Sequence, residues 1–184
     1  MHTVQLHTHS ETLKPIIPAE PVTHVSQTSE SVTYGRIGSI CTGTLIPSEL
    51  ADAFISELGY LGNARAAELS ARYDGLTMDD DYNTDGAEFS DLVDSACEAL
   101  EEHAPSYCYF GAHNGDGADY GFWPSWESIA DAQYSGELVT LPDGSEMPRI
   151  GAISAVLCVS DHGNATLYEP SQDGRTWSET CSIV

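Results

Sequence analysis

The sequence predicts an α+β protein, and three observations carry that. Apolar residues recur at helical spacing between about residues 45 and 104. From about residue 106 onward they come instead in short aromatic and β-branched runs separated by Gly, Pro, Asn and Asp. Helical segments grouped ahead of strands favour an antiparallel sheet over alternating parallel βαβ units. The chain of 184 residues suits one domain, residues 34–184. A chain of this size buries roughly 70% of its unfolded surface, enough for a core without metals or disulfides.

Residues 1–33 predict a flexible or extended arm. They are rich in Ser, Thr and Pro, hold four of the seven histidines and show no sustained periodicity. Val32 to Cys41 fits a short strand or lead-in. Leu50, Ala53, Phe54, Leu58 and Leu61 then mark a first helix, with Pro47 and Ser48 at its start and Gly59 as its stop. Asn63 suits the cap of a second, Ala-rich helix ending near Asp74-Gly75. A third helix begins near Asp85, where Asp85 and Glu88 resemble a capping box. Phe89, Leu92, Val93, Ala96 and Leu100 form its apolar stripe, and Pro105 ends it. About three helices are therefore expected.

The remainder reads as an antiparallel sheet of hairpins. YCYFGAH and ADYGFW flank a Gly-rich turn. GELVTL, followed by Pro142-Asp143-Gly144, predicts a second hairpin. AISAVLCV is the most apolar run, SDHGN turns it into ATLYEP, and Gln172-Asp173-Gly174 turns the chain again into RTWSETCSIV. Phe122, Trp123 and Trp126 are expected to cover the sheet.

Two of these stretches, GDGADYGFWPSW and DHGNATLY with the terminal WSETCSIV, together resemble a family of small uncharacterised proteins of bacteria, phages and plasmids. In that family a GDG-D-GFW hairpin precedes a strand, a DHGN turn and a tryptophan near the C-terminus. The resemblance covers the sheet region and neither the arm nor the helices. It implies a fold neighbourhood and a mobile-element origin. The family has no established activity, so no catalytic residue is carried over.

Charge is the largest departure from an ordinary composition. There are 29 acidic and six basic residues, a net of −23 at pH 7. Eleven carboxylates and no cation lie between Asp74 and Glu102, and no Lys or Arg occurs between Arg72 and Arg149. Such a surface repels nucleic acid and anionic membrane and attracts basic partners. No apolar run is long enough to span a bilayer, and the N-terminus lacks the basic and apolar regions of a signal peptide. Five cysteines without a C-x-x-C fit free thiols in a cytoplasmic setting.

Several motifs invite chemistry. His113, Asp116 and Asp119 of the Gly-rich stretch are candidate metal ligands, but glycines that permit tight turning and aspartates that bond their own backbone explain the same text. Asp81, Asn83, Asp85 and Gly86 match the first half of a calcium loop. The bidentate Glu required at its twelfth position is replaced by Leu92, and the entering helix is expected to break at Asp74-Gly75. His7 and His9 resemble the opening metal motif of PHP-type phosphoesterases, whose later motifs are missing. Cys41 and His162 occur in the order of a Cys/His nucleophile pair without its flanking signature. No cofactor is expected from any of these.

The clearest functional pattern is on the third helix. Asp91, Asp94, Glu98, Glu101 and Glu102 fall on one face, opposite the apolar stripe. From Asp91 to Glu101 successive steps rise about 4.5 to 6 Å, coarsely comparable to the 3.4 Å spacing of phosphates along one DNA strand. The expectation is an acidic binding protein, DNA-mimic-like, that engages a basic nucleic-acid-binding protein and not nucleic acid itself. The alternatives are a small metal-assisted enzyme built on the Gly/Asp-rich hairpin, and a halophile-adapted or assembly-component protein.

Overall fold

The structure, a computed structural model, describes residues 33–78 and 86–183. Residues 1–32 of the expected arm and the calcium-loop residues Asp81, Asn83 and Asp85 lie outside the described residues, as do His7 and His9. The α+β class holds: the described residues form four helices and two sheets, where about three helices and one sheet were expected.

The three expected helices form one layer. α1 (Pro47–Leu61) starts with Pro47, whose missing N–H costs nothing at a helix start. It buries Leu50, Phe54, Ile55, Leu58 and Leu61. It stops at Gly62 and not at Gly59. Gly62 has φ 73°, and the backbone N–H groups of Gly62 and Asn63 return to Gly59 and Leu58. The left-handed position, and not merely a glycine, ends the helix. α2 (Ala66–Thr77) follows, with Asn63 Oδ1 accepting the Arg65 N–H at 2.8 Å. It runs through Asp74-Gly75, where the sequence predicted a break. A glycine inside a helix costs only about 1 kcal/mol, which is too little to end one. α3 (Ala87–Glu101) is preceded by Gly86, without a side-chain cap bond. Of its expected apolar stripe, Phe89, Leu92, Ala96 and Leu100 are buried and Val93 is half-buried, while Ala99 joins the buried face.

This layer covers a three-stranded antiparallel sheet of order β1-β3-β2. β1 (Gly38–Thr42) precedes the helices in sequence, so the chain is not simply helices first and strands second. β2 (Cys108–His113) and β3 (Asp116–Pro124) form the expected hairpin, turned by Asn114-Gly115. Phe110 and Phe122 are opposed in register, and their rings meet edge-on at 5.1 Å. Phe54 of α1 packs on Phe110 at 5.0 Å and on Tyr120 at 5.5 Å. Phe110, Tyr120 and Phe122 therefore face the helices. Their alternates Tyr109, Gly111 and Trp123 face the other side of the sheet.

The second sheet has order β4-β5-β6-β7. Here the expectation of a purely antiparallel sheet is corrected. β4 (Leu138–Pro142) runs parallel to β5 (Ala155–Val159). Pro142-Asp143-Gly144 does turn the chain, but no return strand follows. Residues 143–154 instead cross over to β5, as parallel pairing requires a long connection. The Trp177 indole N–H donates to Pro148 O at 3.0 Å and holds that crossover to the far strand. β5 is the buried central strand that its apolar run foretold. β6 (Ala165–Pro170) and β7 (Trp177–Ile183) follow through the two predicted turns.

The fourth helix was not foreseen. α4 (Trp126–Ser135) is capped by Ser125, whose Oγ accepts the Ser128 N–H, and it ends at left-handed Gly136. Ile129 and Ala132 pack it on Leu138, Leu157 and Leu167 of the second sheet. Trp126, expected on the sheet, is the first residue of α4 and 49% exposed. Phe122 by contrast is fully buried.

Two contacts tie distant segments. The buried His103 ring donates from Nδ1 to Thr33 O at 2.6 Å and accepts the Asn63 amide N–H at Nε2, 2.9 Å. That tautomer follows from the partners, since a carbonyl can only accept. Between the sheets, Cys108 of β2 packs against the apolar cluster that holds Cys181 of β7. All five cysteines are free.

Candidate functional site

The acidic row stands where the sequence put it. Asp91, Asp94, Glu98, Glu101 and Glu102 are all exposed, while the stripe behind them is buried against α1 and α2. α3 is thus a rigid rod, fixed by its apolar side and carrying carboxylates on its solvent side. From Asp91 to Glu102 the row extends about 16 Å.

One member has a second duty that sequence alone did not reveal. Glu101 Oε2 accepts the backbone N–H of Phe110 at 2.7 Å. β2 is an edge strand of its sheet, so an outward N–H there has no strand partner. The four carboxylates of Asp91, Asp94, Glu98 and Glu102 are the part of the row without this anchoring bond. Their field is felt inside the helix as well. Burial pushes the Cys97 thiol up to about 11, and Asp94 and then Glu101 add to the effect.

The helical layer carries further carboxylates outside that row. A groove of about 400 Å³ between α1 and α2 has Asp52 and Asp74 on its lining, with Ser56, Ser70 and Tyr73 between them. The acidity therefore spans more than one helix, which sequence periodicity within α3 could not show.

The Gly-rich hairpin does not assemble a ligand set. His113 Nδ1 accepts the Gly115 N–H at 3.2 Å, and its ring meets Trp123 edge-on at 4.6 Å. Asp116 Oδ1 accepts the Ala118 N–H at 3.0 Å, the local turn bond expected of an aspartate after a tight turn. Asp119 lies past a register shift, opposite Thr42 of β1. Its Oδ1 is buried without a hydrogen-bond partner, the one such side-chain atom among the described residues. Among the described residues no three His, Cys, Asp or Glu side chains converge as metal ligands would.

Cys41 and His162 are not brought together either. Cys41 is in β1 of the first sheet, and His162 is exposed in the turn between β5 and β6 of the second. Burial raises the Cys41 thiol above its ordinary value, and Glu49 and Asp119 add to that. A nucleophilic cysteine needs the opposite, a stabilised thiolate.

Comparison with protein families, with characterised proteins and with solved structures found no match for this chain. Among the described residues no helix is long and apolar enough to cross a membrane.

Proposed function

We propose that the protein binds a basic, nucleic-acid-binding protein through the outer face of α3, presenting carboxylates in place of DNA phosphates. The observation that carries this is the exposed row of Asp91, Asp94, Glu98, Glu101 and Glu102 on a helix locked into the core by its other side. Five carboxylates over about 16 Å match the charge of about five phosphates of one strand, at 3.4 Å each. A rigid rod bears that charge without the ordering cost a flexible acidic tail would incur on binding. The net charge of −23 adds long-range attraction for a cationic surface and repels nucleic acid itself. No cofactor takes part. The free thiols support a cytoplasmic setting, and the resemblance of the hairpin region supports a phage or plasmid origin.

The test is an affinity capture from bacterial lysate at low and high salt, run beside the triple variant Asp91→Asn, Asp94→Asn, Glu98→Gln. The expected result is a basic DNA-binding protein that is retained at low salt, released by duplex DNA and lost with the variant. Equal capture by wild type and variant, or capture indifferent to DNA, would sink the proposal.

A further inference from the structure

The face of the first sheet turned away from the helices carries a cleft of about 310 Å³. Tyr109, His113, Trp123 and Trp126 line it, with Ile37 and Ser182 of β7. Its volume is at the small end for a ligand site, the scale of a head group or one long side chain.

The walls are built in a particular way. Gly111 and Gly121 face each other in register, and Tyr109 faces Trp123. Without a side chain at Gly111, the Tyr109 ring leans over that position, where a Cβ would meet it at 3.4 Å. The Tyr109 hydroxyl donates to Ala112 O at 3.0 Å, and the Trp123 indole N–H donates to Gly111 O at 3.0 Å. The polar ends of both rings are thus fastened to the sheet, which leaves their carbon rings to the cleft. Trp126 closes one side from the start of α4, half exposed. Ser182 lines it from β7, and its hydroxyl donates to Glu179 Oε1 at 2.7 Å.

This chemistry selects its ligand. The O–H of Tyr109, the N–H of Trp123 and the O–H of Ser182 are all spent inside the protein. The donors left on the lining are Nε2 of His113, whose Nδ1 accepts from Gly115, and the Asn114 amide, and the net charge of −23 opposes an anion there. A primary ammonium buried here would need acceptors for three N–H groups. A methylated ammonium needs none and gains from aromatic rings through their quadrupoles. The charge of the chain favours any cation.

We propose that this cleft binds a methylated ammonium group, held against the rings of Tyr109, Trp123 and Trp126. It lies on the other side of the sheet from the helices, so it stands independently of the α3 face.

The probe is choline, compared with its uncharged carbon isostere 3,3-dimethylbutan-1-ol, added to ¹⁵N-labelled protein. The chain has three tryptophans, which gives an internal control. Choline is expected to shift the indole N–H signals of Trp123 and Trp126 saturably and to leave Trp177 unmoved. The isostere is expected to bind at least about fivefold more weakly, and Trp126→Ala to weaken choline by a similar factor. Trp126→Phe keeps a ring and is expected to restore most of the binding. A peptide bearing trimethyllysine, set against the same peptide with lysine, identifies the source. Tighter binding of the methylated peptide than of choline assigns the site to a modified protein, and the reverse order assigns it to a small molecule. Equal binding of choline and its isostere, or no saturable shift at Trp123 and Trp126, would overturn the proposal.

Discussion

Glu101 Oε2 lies 2.7 Å from the backbone nitrogen of Phe110, so a carboxylate of the acidic row also fastens the last turn of α3 to the outer edge of β2. The two roles can be separated by substitution. Glu101→Ala leaves that N–H without its partner and is expected to cost about 1 to 2 kcal/mol. Glu98→Ala, one turn earlier on the same exposed face, is expected to change stability by no more than about 0.5 kcal/mol. Urea midpoints of the two variants decide it. Equal losses would mean that the Glu101 bond contributes nothing.

Cys97 tests the electrostatics of the same helix. Its proton is held to about 11 in the folded chain, first by burial and then by Asp94 and Glu101, against an ordinary 9.0. A folded-state value raised above the unfolded one stabilises the fold fully below pH 9. That contribution is lost as pH climbs from about 9 to about 11. Native Cys97 should therefore resist iodoacetamide at pH 9, where an unfolded cysteine reacts readily, and become reactive only toward pH 11. Asp94→Asn should move the onset to lower pH. Mass spectrometry of the alkylated peptide reads both outcomes, and alkylation of native Cys97 at the unfolded rate at pH 9 would refute the assignment.

Gly121 is required by close approach between strands. A Cβ there would collide with Gly38 O and sit 2.9 Å from Ser39 Cα, both backbone atoms of β1. Gly121→Ala must push β1 off the sheet and is expected to cost about 3 kcal/mol or more. Gly117→Ala in the same strand meets nothing within 4 Å and is expected to be neutral within about 0.5 kcal/mol. Thermal melts of the pair check this.

Self-repulsion at a net charge of −23 should make stability depend on salt. Screening acts over about 10 Å at 0.1 M salt, so the midpoint of melting should rise over the first few hundred millimolar NaCl and then level off. A midpoint that keeps climbing into molar KCl would instead favour halophilic adaptation as the origin of the acidity.

The helices and hairpin turns were legible because each depends on neighbours in sequence. The stripe from Phe89 to Leu100 predicts its own buried face through the 3.6-residue period, and the carboxylates opposite it follow from the same geometry. Asn114-Gly115, Gly163 and Gly174 mark turns that local backbone chemistry dictates. α4 was missed although Ser125, Ile129, Ala132 and Gly136 supply a cap, two buried positions and a stop. Its aromatic start at Trp126 follows a strand without a break and reads as more strand.

Sequence by itself determined the class, the three-helix layer, the acidic face of α3 and the buried central strand, since period and charge order are properties of adjacent residues. Only the tertiary structure decided that β1 joins β3 across the helices, that β4 runs parallel to β5, and that Glu101 serves β2. It alone set Tyr109, Trp123 and Trp126 around one cleft. Those outcomes depend on which surfaces meet after the chain has folded back on itself. Residues such as Asn63 and His103, 40 positions apart and 2.9 Å from each other, carry no mark of their meeting in the order of the amino acids.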